Sequence, residues 1–409
     1  MSKKNSKKTV PELRFRGFTD PWEQRQLGEV GSATSGVGFP DAEQGGTDGL
    51  PFYKVSDMNL SGNESVMSAS SNYVSAEQVV KNHWKPIATV PAIIFAKVGA
   101  AVFLDRKRVA AAPFLMDNNM MAYIPDGKSW AVDFCLSVFN RIRLSNLARI
   151  GALPSINASD VEQHHIALPG LPEQRLIGRF FSTLDSLIAA AERQETLLRQ
   201  KKQAYLQLMF PCEGETQPRL RFSGFSGDWE QRQSSELFVP VKENGHSDLP
   251  VLSATQSEGM VYRDDQSRDI KFKKDNLGSY KLVRAGDFVI SLRSFQGGFE
   301  LSDKTGIVSP AYTVFTHAEC SSQDNGYWKQ YFKRRSFIES LKTVTFGIRD
   351  GKAISFSDFS SLKCIFPTLP EQRLIGRFFS TLDSLIAAAE ERTRALKEMK
   401  SAYLQRMFV

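Results

Sequence analysis

Two stretches of the chain carry apolar residues at helical spacing over an unusual length. Leu176, Phe180, Leu184, Leu187, Ala191, Gln194, Leu198 and Tyr205 fall close to a 3.5-residue repeat. Leu374, Phe378, Leu382, Leu385, Ala389, Leu396, Met399 and Tyr403 do the same. Sustained a/d spacing over several heptads predicts a coiled coil. Each helix would run to about 38 residues, or roughly 57 Å at ~1.5 Å per residue. Pro172 and Pro370 suit a first helical turn, where a missing N–H costs nothing, and Glu173 and Glu371 suit the positive end of the helix dipole. Phe181, Ile188, Phe379 and Ile386 lie off the main stripe, which predicts apolar surface left over for docking a further subunit.

The first of these helices opens on Leu171–Glu192, LPEQRLIGRFFSTLDSLIAAAE, and the same string returns unchanged at Leu369–Glu390, 198 residues later. Identity over 22 residues is far outside chance, so the chain is an internal duplication. A second repeat lies upstream of each helix. Pro11–Phe18 (PELRFRGF) leads to Trp22–Gln26 (WEQRQ), and Pro218–Phe225 (PRLRFSGF) leads to Trp229–Gln233 (WEQRQ). The aromatic residues of this lead-in motif read as core anchors.

Two variable domains lie between these repeats. In the first, about 27–168, Gly31–Gly49 reads as loop. Leu50–Val55, Thr89–Ala96 and Asn119–Ile124 read as strands, and Ser129–Leu147 as a helix. In the second, about 234–366, the strands are Leu249–Leu252, Asp287–Leu292 and Ala311–Phe315, and the helix is Asn325–Leu341. Trp328, Phe332 and Phe337 align with Trp130, Phe134 and Phe139 at the same offset, yet most other positions differ. The predicted class is α+β: two similar α/β domains joined by two long helices in an antiparallel coiled coil, a pseudo-two-fold internal repeat. In order, the segments are 1–26 (tail and lead-in motif), 27–168, 169–210 (central helix), 211–233 (linker and second lead-in motif), 234–366 and 367–409 (C-terminal helix).

Composition narrows the function without fixing it. A net charge of +7 is compatible with nucleic acid, but residues 27–168 hold 11 Lys/Arg against 13 Asp/Glu, and 234–366 hold 18 against 16, so neither domain is strongly basic. Four scattered cysteines (Cys135, Cys212, Cys320, Cys364) argue for a reducing, cytoplasmic setting and against a zinc site or disulfide framework. The start of the chain does not read as a signal peptide, and Ala88–Leu104 is too short to span a bilayer, so no membrane partner is expected. No N-P-P-[YF] or D-P-P-[YF] string and no G-x-x-x-x-G-K-[ST] loop is present, and Gly36-Val37-Gly38 lacks the third glycine of a dinucleotide loop. His164-His165 has no counterpart in the second half and reads as surface or packing. The chain reads as a binding and assembly protein rather than a catalyst, with no metal and no catalytic residue.

Duplex DNA has a local dyad, so two similar domains fixed on two similar helices could present one domain to each of two inverted half-sites. Dissimilar domain surfaces would read dissimilar half-sites, and the helices would act as a ruler for the bases between. With its doubled Leu-Pro-x-x-Glu-Gln segments (Leu171-Pro172-Glu173-Gln174 and Leu369-Pro370-Glu371-Gln372), the helix after each, and the doubled Phe-x-Gly-Phe…Trp-Glu motif, the chain resembles the specificity subunit of a type I restriction–modification system. The resemblance spans nearly the whole length. It implies two target recognition domains, double-stranded DNA with an asymmetric bipartite site, two methyltransferase (modification) subunits and two motor-nuclease (restriction) subunits. It also implies S-adenosylmethionine, ATP and Mg on those partners and no cofactor here. A fused restriction–methylation enzyme and a coiled-coil adaptor without a DNA role are the competing classes; the missing methyltransferase motif speaks against the first and the two large unlike domains against the second.

Phosphate contacts need Lys, Arg and amides, and base edges are read by Arg, Lys, Asn and Gln. In the first domain the candidates in or near predicted strands are Lys54, Asn59, Lys97, Arg106, Lys107, Arg108, Asn118 and Asn119. In the second they are Arg263, Lys271, Lys273, Lys274, Arg293, Gln296, Arg349 and Lys352. Lys333-Arg334-Arg335 is a basic cluster on a predicted helix, open to phosphate, partner or solvent. A reader of this kind is salt-sensitive: between about 50 and about 200 mM salt, the affinity of the assembled complex should fall roughly a thousandfold or more if it makes six or more phosphate contacts. An affinity unmoved by salt would contradict DNA reading.

Overall fold

A computed structural model describes residues 10–149, 153–255, 259–265, 274–291, 298–344 and 354–409. The chain divides into two compact units: one takes in the chain up to Arg193 together with Glu390–Val409, and the other is Gln194–Ala389. The two long helices, Leu171–Leu208 and Leu369–Arg406, have 38 residues each. Each gives its opening part to one unit and its closing part to the other.

The strands of the first unit are β1 (Glu23–Gln26), β2 (Gly31–Ser35), β3 (Leu50–Tyr53), β4 (Tyr73–Val74), β5 (Ala92–Ala96), β6 (Lys107–Ala110), β7 (Leu115–Met116), β8 (Met120–Pro125) and β9 (His165–Leu168). They build a four-stranded antiparallel sheet β2-β8-β5-β6, a three-stranded sheet β4-β3-β7 and the ladder β1–β9. The apolar run of β5 is buried along its whole length because its sheet has a core on each face. Side chains alternate between the faces. Ile93 and Phe95 join Met121 and Tyr123 in the core that meets the helices, while Ala92 and Ile94 join Met120 and Ala122 in a second core beneath.

The second unit follows the same plan with β10 (Glu230–Gln233), β11 (Phe238–Pro240), β12 (Leu252–Thr255), β13 (Gly259–Tyr262), β14 (Lys281–Val283), β15 (Phe288–Ile290), β16 (Phe299–Leu301), β17 (Gly306–Val308), β18 (Thr313–His317) and β19 (Lys363–Phe366). The sheet β11-β18-β15-β16 and the ladder β10–β19 repeat β2-β8-β5-β6 and β1–β9. Its cores alternate likewise, Phe288 and Ile290 on one face and Val289 on the other. Trp22 and Trp229, 2% and 3% exposed, anchor the lead-in motifs in these cores, as the sequence reading expects.

Several elements depart from the sequence pattern. The Gly31–Gly49 stretch opens with β2 rather than loop, because Gly31–Ser35 pairs with Met121–Pro125 of β8. The expected helix Ser129–Leu147 is Val132–Arg141 followed by a short turn at Leu144–Leu147. Residues before and after the helix are claimed elsewhere: the Ala131 N–H donates to Gln174 Oε1, and the Leu144 N–H to Asp105 Oδ1. In the second unit the expected helix is likewise two pieces, Asn325–Tyr331 and Arg335–Val344.

The repeated helix is locked to its domain by the residues of its own signature. Arg14 donates two bonds to Glu173, at 2.6 and 2.8 Å, and Arg221 donates two to Glu371, at 2.7 and 2.8 Å. Both carboxylates are 1% exposed, and the planar fork matches a carboxylate edge-on. The neighbouring glutamines finish the joint. Gln174 donates to the Pro169 and Ser129 carbonyls and accepts from Ala131, and Gln372 donates to the Pro367 carbonyl and accepts from Asp324. Gly178 and Gly376 then let a domain helix abut the long helix. A Cβ at Gly178 would stand 2.7 Å from the Phe134 nitrogen, and one at Gly376 2.5 Å from Asp324 Oδ1.

Within each unit the two long-helix segments run antiparallel. In the first, Phe180 meets Tyr403 edge-on at 5.0 Å, and Asp185 and Glu192 pair with Lys400 and Lys397. In the second, Phe378 meets Tyr205 edge-on at 4.9 Å and Asp383 pairs with Lys202. The expected off-stripe surface is corrected here. Phe181 and Phe379 are 1% and 0% exposed, Ile386 is buried and Ile188 half-buried. Each ring packs on the aromatic residue that ends the antiparallel segment, Phe181 on Phe408 and Phe379 on Phe210. Within the identical string, the large apolar residues that face outward are Leu176 and Leu187, with Leu374 and Leu385 in the second copy.

Removing one member of a buried pair strands the other. Arg14→Ala is expected to destabilise the first unit by about 3 kcal/mol in denaturant unfolding. Arg199→Ala, which breaks the exposed helical pair with Glu195, should move stability by less than about 0.5 kcal/mol. Equal effects would contradict the clamp.

Candidate nucleic-acid interface

The register of the first unit brings the ends of six strands together. β5 ends at Ala96 opposite Met120, where β8 begins; β2 ends at Ser35 opposite Met121; β6 begins at Lys107 opposite Phe95. β3 and β7 run parallel and end side by side at Tyr53 and Met116, and the Asp117 N–H continues the pairing to the Tyr53 carbonyl. Lys54, Lys97, Arg106, Asn118 and Asn119, which are spread over 66 positions of sequence, therefore emerge at one end of the sheets.

Their side chains are held but not withdrawn. The Lys97 ammonium donates to Ser35 Oγ at 2.9 Å, and its backbone N–H donates to the Asn119 carbonyl at 2.8 Å. Asn119 Nδ2 donates to Asp117 Oδ2 at 3.2 Å, which fixes the amide. Burial raises the Asp117 pKa, partly offset by those Asn119 bonds and by Lys54 nearby. Lys54 reaches Gln44 Oε1 at 3.0 Å, and Arg106 bonds the exposed Asn59. Lys54, Lys97 and Arg106 are half-buried, while Asn118 and Asn119 are exposed. The arrangement offers three cations and exposed amides on one rim, the chemistry that contacts phosphates and base edges.

Two sequence candidates in this unit are corrected. The Lys107 side chain is 1% exposed and pairs with Asp105 at 2.7 Å; burial lowers its pKa, and Asp105 opposes that shift. Arg108 is half-buried, donating to the Asn63 carbonyl and to the Lys107 carbonyl at 2.9 Å. A cation that enters a strand beside the core is turned inward by the pleat, and these two tie loops down instead of lining the rim.

In the second unit Lys271, Lys273, Arg293, Gln296, Arg349 and Lys352 lie outside the described residues. Lys274 opens the short turn Lys274–Ser279, and Arg263 donates to Ser253 Oγ at 3.2 Å. The basic cluster on the helix resolves into internal contacts. Arg334 is 7% exposed over the rings of Tyr331 and Phe210, at 3.9 and 4.7 Å, Lys333 pairs with Glu300, and Arg335 pairs with Glu339. Among the described residues no three His, Cys, Asp or Glu side chains gather as a metal site, and no helix is long and apolar enough to cross a membrane.

The geometry separates rim from anchor experimentally. Lys97→Ala should weaken DNA binding by the assembled complex, lower the salt slope by about one and leave thermal stability unchanged. Lys107→Ala should instead cost about 2 kcal/mol of stability through its buried stem and pair. The reverse pattern would refute the assignment.

Comparison with known proteins agrees with this architecture. Residues 19–200 match the family described as the type I restriction modification DNA specificity domain. The putative type I restriction enzyme MjaX specificity subunit of Methanocaldococcus jannaschii is 22% identical over 303 residues, covering 69% of this chain and 68% of that one. The fold is similar to the crystal structure of the S subunit of a type I restriction–modification system from M. genitalium, with a TM-score of 0.59 at 12% identity, covering 98% of this chain and 99% of that one. A structure reported for the assembly and conformational transition of a type I R-M system matches with a TM-score of 0.52 at 16% identity, covering 95% and 97%. The doubled clamp and helix, the two sheet-bearing units and these likenesses converge: the chain is similar to type I restriction–modification specificity subunits, and its residues 19–200 match their DNA specificity domain.

Proposed function

We propose that this chain reads an asymmetric, bipartite DNA sequence on behalf of a type I restriction–modification complex. Residues 27–168 read one half and residues 234–366 the other, and the paired helices set the spacer. The observation that carries the proposal is the convergence of Lys54, Lys97, Arg106, Asn118 and Asn119 on one sheet end, within a frame that the chain contains twice. The frame is constant and the rims differ, as two different half-sites require.

The long helices would also dock the partner subunits. Burial accounts for part of the sequence identity between them: Glu173, Gln174, Ile177, Gly178, Phe181 and Leu184 are buried, as are their counterparts. It does not account for Arg175, Leu176, Arg179, Ser182, Thr183 and Leu187, which are exposed in the first copy and equally exposed in the second. Two surfaces kept identical where packing makes no demand suit two copies of one partner. The docking contacts are therefore assigned to Leu176, Leu187, Leu374 and Leu385 rather than to Phe181 and Phe379. Methylation would reside on two modification subunits with S-adenosylmethionine, and cleavage on two motor-nuclease subunits with ATP and Mg, in the cytoplasm; this chain would contribute no catalytic group.

Base-modification sequencing of host DNA, with and without this chain and beside its cognate modification subunit, tests the reading. A bipartite adenine-methylation motif should appear only with the chain. Replacing residues 27–168 by a different recognition domain should change one half of the motif and leave the other intact. An assembled complex that yields no motif would overturn the proposal.

A further inference from the structure

We infer that Phe103, with Leu104 beside it, is an apolar wedge that enters the DNA base stack next to the bases read by the first unit. This inference rests on the DNA-reading function proposed above. The turn Gly99–Leu104 follows Lys97 at the reading end of the sheet and leads into Arg106 and β6. It has a buried and an exposed side. Val102 is fully buried, whereas Phe103 is 64% and Leu104 57% exposed, which makes these two among the most exposed large apolar residues described. Leu153, 61% exposed, lies against the base of the same turn at Gly99.

The tip is held firmly at both ends. The Gly99 N–H donates to the Pro154 carbonyl at 2.9 Å. Asp105, left-handed at φ 54°, closes the turn; its carboxylate accepts from the Leu144 N–H at 2.8 Å and pairs with Lys107 at 2.7 Å. The two side chains are thus presented on a braced support rather than on a free loop. Of the cations in residues 97–108, Lys97 and Arg106 flank the tip on the rim, while the one carboxylate, Asp105, is taken up by the buried Lys107. An apolar tip between cations is complementary to a duplex, whose apolar interior is reached only between two rows of phosphates. Apolar side chains inserted at a base step partly unstack it and kink the helix. A partner protein is the competing occupant, but nothing about such a partner calls for the cations or for the shared position with Lys97, Arg106, Asn118 and Asn119.

The test uses the full chain assembled with its modification subunit. Duplexes bear the methylation motif with 2-aminopurine placed at successive positions in the half read by residues 27–168. The wild-type complex should raise the fluorescence several-fold at one step, where stacking is lost. Phe103→Ala should abolish that rise and weaken binding roughly ten- to hundredfold, with the salt slope and the melting temperature unchanged. Phe103→Met, still apolar and long, should keep the rise. A wild-type complex that prefers the motif but unstacks no step overturns the wedge and leaves DNA reading intact. Phe103→Ala that binds the motif normally but sheds the modification subunit also overturns it, and assigns the patch to a protein contact. No motif preference in the wild type overturns both readings.

Discussion

A guanidinium and a carboxylate, shut away together at the root of each long helix, hold this architecture in place. Arg14 with Glu173, and Arg221 with Glu371, join the lead-in motif to the helix that follows the domain, so each domain is closed into a loop by its own ends. The charge is tolerated because two short bonds satisfy each carboxylate, and the glutamine beside it bonds backbone groups of the domain and of the turn before the helix. A buried pair of this kind adds modest net stability but fixes geometry, since any other alignment leaves a charge unmatched in the interior. The glycine four positions after each glutamine removes the last steric obstacle to close approach.

From that joint the division of labour follows physically. Groups that make the joint cannot vary without loss of the frame, and they are the same in both halves. Exposed groups on the strand ends and connecting turns take no part in the joint, and there the two sequences diverge. Between these classes stands a third: exposed helix residues that are identical although nothing within the chain requires it. Packing explains the first class and freedom from packing the second. The third is what the proposed docking of two copies of one partner would account for.

Much of this was legible before the fold was known. The 38-residue helices follow from apolar spacing, a proline in the first turn and the doubled string itself, and the repeated Trp22 and Trp229 sit in cores as the pattern suggests. Lys54, Lys97, Arg106, Asn118 and Asn119 could be named from residue type and proximity to strands. What could not be read was their convergence, which comes from strand register, and the burial of Lys107, which comes from the β5–β6 pairing. The heptad stripe misjudged Phe181, Phe379, Leu176 and Leu187 for one reason. A heptad assumes a single partner, whereas each of these segments packs on a domain and on a helix at once. The buried arc is wider and turned, so it takes in the phenylalanines and releases the leucines. Phe103 and Leu104 gave no warning either, since a Val-Phe-Leu run reads as core.

The central claim is that the two halves are interchangeable frames carrying different readers. The most direct test transposes the readers within one chain, placing residues 234–366 where 27–168 stand and the reverse, with both clamps and both helices untouched. The account predicts that methylation persists and that the two halves of the methylated motif exchange places about an unchanged spacer. A folded, assembled complex that methylates the original order, or one in which either half is read in only one of the two frames, would contradict it.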